Sequence, residues 1–592
     1  MTALRAELIL AGVLLASAAA AQVPQASAPP KTLGNTTAVT PAGPVTAPSP
    51  PSPPGSSGIE VNTLGAPEGP PAGLLDPSNG GMADDIWSGS SRAEVEDLLA
   101  RLPLATPVRS IRLLGRKLLL TKAEAPMGQA PRSFETVRLK ALLGAGFVSD
   151  SARLAPLIRL KDDPEFAQLQ AEAILLGGKP QDACGDATMT RESATDPFWM
   201  QLRAYCYAAT GKTDMLELTR GVMKAQGADD KAFEILLDDV LVHKATPPGL
   251  MHNPTAVQVF LLRQVGLPIN PNLAARFGLA ASVLALRDAK NPPQARADAA
   301  SQAMHAGAAS SLELGAVADA LTFTPQQFAN AETAATGLPY FEGQALIRQA
   351  VAHATSDDEK AKLLAVAFRL GRQNELLPVA AAIQDKGAAT VMPTPAMRSF
   401  VPAFAQALLL MRQVDAAERW RDMLDPNSEA DSLLAASLAV QVNLAAPNPG
   451  RASRAEGALS VLAQNSSMPQ ALGGYEAKEF AALALGLYDA LGEPMPADAK
   501  AQLPNLVEHQ WPGRRLPPIV MTHLADLKTQ SGTKGEAILT ILGGIGAGGP
   551  GDMAPDAIAA LVRSLKDLGE TEAARALAMD ALLLYRPQAA PS

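Results

Sequence analysis

The chain has 592 residues, enough for several domains or one long repeat array. Charged residues make up 18% and aromatics 4%, while apolar residues reach 47% with alanine prominent; this favours closely packed helices over sheets, which want more Val, Ile, Thr and Tyr. The formal net charge of −9 argues against nucleic acid as a partner, because phosphate binding needs clustered Lys and Arg, and it gives no general attraction to anionic membranes.

The N-terminus has the three-part pattern of an export signal. Arg5 and the amino group supply positive charge, Leu8 to Leu15 form a short apolar core, and Ala19-Ala20-Ala21 present a cleavage site before Gln22. Cleavage between Ala21 and Gln22 is expected, with an uncleaved inner-membrane anchor as the alternative. The apolar core falls short of the ~20 residues of a comfortable membrane span, and no later run is long and charge-free enough to be one. No cysteine follows the core, so a lipid anchor is excluded.

From Gln22 the composition shifts. Fourteen of the 49 prolines fall between 22 and 85, and the first aromatic residue of the chain is Trp87. Without apolar bulk such a stretch cannot offset its ordering entropy, so residues 22–90 read as a disordered linker with polyproline II character. It is either a passive tail or a tether that gives the folded part reach.

Helices are predicted from Ser91 onward. Ser91-Arg92-Ala93-Glu94 is a capping-box pattern, followed by Val95, Leu98, Leu99 and Leu102 at helical spacing and a stop at Pro103. Thr106-Pro107 opens a second helix, with proline at the first helical position. On that helix Arg109, Arg112, Arg116 and Lys117 line one face, and Ile111, Leu114 and Leu118 another. The basic face is either a contact surface for an acidic partner or a membrane, or the solvated side of a capping helix.

A repeat follows. Pro131, Pro164 and Pro197 are spaced by 33 residues, and Asp163 and Asp196 precede the last two as N-caps. Phe134, Phe166, Trp199 and Phe233 recur at intervals of 32 to 34. Gly146, Gly178 and Gly211 close the first helix of each unit. Each unit therefore reads as cap, helix, glycine turn, helix. Further units are marked by a capping box at Ser356 to Glu359 with a turn at Leu370-Gly371-Arg372, by Met411-Arg412-Gln413-Val414-Asp415-Ala416-Ala417-Glu418, and by Gly569-Glu570-Thr571-Glu572-Ala573-Ala574-Arg575-Ala576-Leu577 with small Ala574 and Ala581. The stretch 255–350 is irregular, with proline turns at Asn253-Pro254 and Asn291-Pro292-Pro293.

These units resemble the tetratricopeptide-repeat superfamily, most closely at 569–577, and the match covers about 131–240, 355–425 and 555–585. The resemblance implies an all-α solenoid of stacked antiparallel helix pairs, divided for description into 91–250 and 251–592. An irregular solenoid like the helical scaffold of periplasmic lytic transglycosylases is the other all-α reading, with no catalytic domain appended. In repeat register Cys184 and Cys206 lie on helices that pack together, so in an oxidising compartment they are expected to form a disulfide rather than remain thiols.

Chemistry-bearing motifs each read as loops. Gly544-Ile545-Gly546-Ala547-Gly548-Gly549 satisfies GxGxxG, but too little chain follows for a dinucleotide fold. Gly211-Lys212-Thr213 lacks the first glycine of a phosphate loop, which is Cys206 here. Ser531-Gly532-Thr533-Lys534 fits SxxK without the accompanying penicillin-enzyme motifs. The histidines His243, His252, His305, His353, His509 and His523 form no two-ligand spacing. No catalytic, cofactor or metal residue is assigned. The expectation is a non-enzymatic periplasmic adaptor that binds another envelope protein, with no nucleic acid, no transmembrane helix after cleavage and no small-molecule substrate. An accessory factor that binds cell-wall glycan, or an enzyme with a site scattered over the helices, stand as alternatives.

Overall fold

The computed structural model describes residues 68–586, apart from 161–162, 179, 186–195, 250, 252, 270–276, 465–476, 508–510 and 512. The signal segment, most of the linker, His252 and His509 lie outside the described residues. Within them the chain is helical, with only isolated bridges such as Leu75 to Thr121 and Ser91 to Met127. Successive helices pack as pairs, among them Pro197–Ala209 with Thr213–Ala225, Asp357–Gln373 with Leu377–Thr390, and Pro555–Asp567 with Thr571–Leu584.

The 33-residue register is physical. Asp163 accepts from the Phe166 amide at 2.9 Å, and Asp196 from the Phe198 amide at 2.9 Å, satisfying the free N–H groups of each helix start. Asp230 does the same for helix Lys231–Val242. Phe134, Phe166, Trp199 and Phe233 are all buried. Gly146, Gly178 and Gly211 have φ of 78°, 81° and 69°, the left-handed conformation that turns the chain between helices. At the C-terminal match, Ala574 and Ala581 are fully buried where helices meet.

Several local expectations are corrected. Ser91 makes no side-chain cap; the helix Arg92–Ala100 is instead anchored by the Arg92 amide donating to Met127 O at 2.7 Å. The second helix begins at Arg109, not Pro107, because Thr106 Oγ1 accepts from the Val108 amide and forms a turn first. Ser356 caps Glu359, but Glu359 reaches back to the Thr355 amide rather than to Ser356. Leu370-Gly371-Arg372 is not a turn: the helix runs to Gln373, and Glu375 takes the positive φ. Gly371 serves close packing, since a Cβ there would lie 2.7 Å from the Ala380 Cβ.

Residues 68–90 belong to the folded body rather than to the linker. Leu74 and Leu75 donate to Leu120 O, and Met82, Ile86 and Trp87 are buried. Thr63–Ser592 form one compact unit, so 250/251 is no boundary between compact bodies.

The two ends of that unit meet. Helix Arg92–Ala100 packs on Lys534–Ile545, and helix Arg109–Leu120 packs on Thr571–Leu584. The Trp87 ring covers Gly535, where a Cβ would sit 2.4 Å from it, and the Gly535 amide donates to Ile86 O at 2.9 Å. A solenoid needs polar caps at its ends; here each end covers the other. Helix Thr571–Leu584 also contacts Val401–Leu410, Glu429–Ala445 and Ala477–Leu491, which places it inside the array.

Candidate functional site

The helix Arg109–Leu120 lies where the ends join. Ile111, Leu114 and Leu118 are buried, as their spacing predicts. Gly115 admits Leu104, whose Cδ2 would be 2.3 Å from a Cβ at that position. The basic face does not simply meet solvent. Arg112 is 8% exposed and donates to Leu104 O, to Ala306 O at 2.8 Å and to Ala145 O at 3.2 Å, with its guanidinium 4.5 Å from the Phe147 ring centre. Burial lowers its pKa to about 10. Arg116 forms a two-pronged pair with Asp150 at 2.6 and 2.8 Å, which raises the arginine above its ordinary value. Lys117 and Lys534 each lie 2.7 Å from Glu570. Burial alone would raise the Glu570 carboxyl, but the two lysines hold it below its usual value. Arg109 is exposed, and its charge acts on the Asp580 carboxylate without a direct hydrogen bond.

Two cavities flank this helix. One, of about 540 Å³, lies between the helix start, the loops at 146–150 and 307–311, and helices Leu377–Thr390 and Val401–Leu410. The other, of about 360 Å³, lies between the helix, Arg412, Leu444 and the start of the terminal helix. Both are lined by Arg109 and by Leu113, which is 49% exposed. Asp580 sits on the wall of the larger one, accepts from the Ser110 amide at 3.0 Å and lies 3.9 Å from Arg412. Its burial raises the carboxyl pKa, against the pull of Arg412 and Ser110. Asp150, Glu570 and Asp580 escape a reading by spacing because their partners are far away in sequence. One local signal does exist: Asp580 is an acid inside the apolar run Ala578-Met579-Asp580-Ala581-Leu582.

A second feature is on the outer surface. Met215, Leu218 and Val222 recur at helical spacing on Thr213–Ala225 and are 42%, 61% and 38% exposed, while Leu216 and Met223 on the same helix are buried. Leu241 and Val242, at the end of the next helix, are 45% and 57% exposed.

The other singled-out residues fall as follows. Cys184 and Cys206 form a disulfide with Cα atoms 5.6 Å apart. In Gly544–Gly549 the carbonyls of Gly544, Ile545 and Gly549 accept from Arg514, so the loop presents acceptors to a guanidinium rather than amides to a phosphate. Gly211-Lys212-Thr213 is a turn between paired helices. Ser531-Gly532-Thr533-Lys534 is a turn whose Gly532 carbonyl accepts from the Gly89 amide, tying the chain ends together. His523 lies 3.2 Å from Glu536, and His353 meets the Phe328 ring edge-on. Among the described residues no cluster of His, Cys, Asp and Glu could hold a metal, and no helix is long and apolar enough to cross a membrane.

The fold therefore defines an all-α protein of stacked helix pairs. No protein-family model, curated protein or solved structure matches the chain.

Proposed function

We propose that the protein is an exported, non-enzymatic scaffold of tetratricopeptide-like character, which works in the periplasm by holding another envelope protein on its helical-repeat surface. The observation that carries this reading is the apolar stripe Met215, Leu218, Val222 on a helix whose other large apolar residues, Leu216 and Met223, are already buried. Large apolar side chains repeated along one exposed face mark a surface built to be covered. The Cys184–Cys206 bridge beside this repeat suits an oxidising compartment, in line with the export pattern at the N-terminus.

The test is crosslinking inside the cell, followed by capture of the full-length tagged protein from the envelope. Wild type is compared with the double variant Leu218→Glu, Val222→Glu, with circular dichroism confirming unchanged helicity. One envelope protein enriched by wild type and lost from the variant supports the scaffold. Equal enrichment by both removes the stripe as the contact surface, and recovery only with peptidoglycan moves the reading to glycan binding.

A further inference from the structure

The exposed face of helix Thr213–Ala225 carries more than the three side chains that the scaffold reading uses. Met215, Leu218, Val222 and Ala225 recur at spacings of three, four and three, the seam pattern of a two-stranded coiled coil. At ~3.6 residues per turn they fall within an arc of roughly 80°. Leu216 and Met223, on the opposite side, are buried against the body, so the helix has two apolar faces and one of them is uncovered. The borders of the seam are low. Nothing lies within 4 Å of a Cβ at Gly221, and Thr219 turns its hydroxyl back onto Met215 O at 2.7 Å. A second helix can therefore approach closely without leaving a polar group unpaired.

Three exposed charges stand on one flank of the seam, in the order Asp214, Glu217, Lys224. Asp214 and Lys224 make no ion pair among the described residues. Glu217 is 3.6 Å from Arg220, which is engaged more closely by Glu234 and Asp238 of the next helix. Laid against itself in the antiparallel sense, this helix is self-complementary. Met215 meets Ala225 of the second copy and Leu218 meets Val222, and each contact recurs in reverse, so all four layers close. In that register Lys224 is level with Leu216 of the second copy, within about 3 Å along the axis of both Asp214 and Glu217. Two-fold symmetry makes the ionic contact twice, and the opposed helix dipoles add to it. A parallel pairing in register sets each charge level with its own like and gains none of this.

We propose that helix Thr213–Ala225 pairs with the same helix of a second copy of this chain, antiparallel about a two-fold axis at the level of Arg220. A contact between two helices of 13 residues falls short of the ~1,200 Å² of stable complexes, so the pair is weak and reversible. It covers the side chains assigned above to the envelope partner. Self-pairing then holds that surface closed until the partner competes for it; this regulatory role rests on the scaffold reading, whereas the pairing itself does not.

The test is sedimentation equilibrium of the purified full chain after export, over a concentration series and with no other envelope protein present. Wild type should show a reversible monomer–dimer equilibrium, and Leu218→Glu should remain monomeric. Lys224→Glu should weaken the dimer roughly five-fold, the scale of two exposed ion pairs, and Asp214→Lys added to Lys224→Glu in the same chain should restore it. Circular dichroism and thermal melting confirm that each variant is folded. A monomeric wild type, a Leu218→Glu chain that dimerises like wild type, or a Lys224→Glu defect that is absent or not rescued by Asp214→Lys would each overturn the proposal. Because no partner is present, these failures leave the capture experiment above untouched. Failed capture beside an intact dimer would remove the scaffold reading, and the regulatory role with it, but not the pairing.

Discussion

The backbone amide of Ser110 donates a 3.0 Å hydrogen bond to the carboxylate of Asp580, across a sequence separation of 470 residues. It joins the first turn of helix Arg109–Leu120 to the interior of the terminal helix, so the N-terminal cap and the last repeat share one core. Asp580 is buried, and its burial raises the carboxyl pKa above 3.8. The folded state then binds this proton more tightly than the unfolded state. The associated stability is complete below the unfolded value and is lost as pH rises through the folded one. Asp580→Asn keeps an acceptor for Ser110 and removes the ionisation, so it should flatten this part of the urea-unfolding profile against pH. Asp580→Ala removes the acceptor and should cost about 1–3 kcal/mol at neutral pH.

Glu570 has the opposite sign. Lys117 and Lys534 hold its carboxyl below the ordinary 4.5 despite its burial. Its contribution is present above 4.5 and disappears as pH falls through the lowered folded value. Glu570→Gln should therefore lose about 1–2 kcal/mol at pH 7 and less near pH 3. Both lysines are about 30% exposed, which keeps the loss below that of a fully buried pair. Chemical denaturation at the two pH values measures the difference.

Closure of the chain ends depends on Trp87, which packs on Gly535 and meets Phe134 edge-to-face at 5.7 Å. Trp87→Ala should cost about 3–5 kcal/mol and raise amide exchange in helices Arg92–Ala100 and Lys534–Ile545 together. The indole Nε1 has no partner, so Trp87→Phe loses contact area but no hydrogen bond and should cost much less. If exchange rose only in the first helix, the two ends would not be stabilising one another.

The Cys184–Cys206 bridge closes a sequence separation of 22 residues. Loop-entropy arithmetic gives roughly 3 kcal/mol for a loop of this order. Paired Cys184→Ser and Cys206→Ser substitutions should lower the urea midpoint accordingly, and added reductant should then have no further effect on the variant.

Much of the local structure was legible in the sequence, because it is set by residues close together in the chain. Asp163 and Asp196 cap, Gly146 and Gly178 turn, and Phe166 and Trp199 fill, each within one 33-residue unit. The disulfide followed from the same register. What spacing could not reveal was the meeting of the ends. A basic helix such as Arg109–Leu120 has the same pattern whether it faces solvent or lines a cavity, and only distant Asp150, Glu570 and Asp580 decide between them. The linker boundary failed for a similar reason: residues 68–90 are poor in apolar bulk, yet Met82, Ile86 and Trp87 are buried, and Ile86 and Trp87 meet Gly535 on a helix near the other end of the chain. Gly371 illustrates a smaller ambiguity, since a glycine in a helical pattern can mark a turn or a close approach.

The scaffold reading is tested most directly by placing a photo-crosslinking amino acid at Leu218 in the full-length protein in living cells, with Glu94, an exposed residue on another helix, as the control position. The account predicts a discrete adduct with one envelope protein from position 218 and none from position 94. Adducts of equal yield and pattern from both positions, or none from 218 under conditions where the protein is exported and folded, would contradict it.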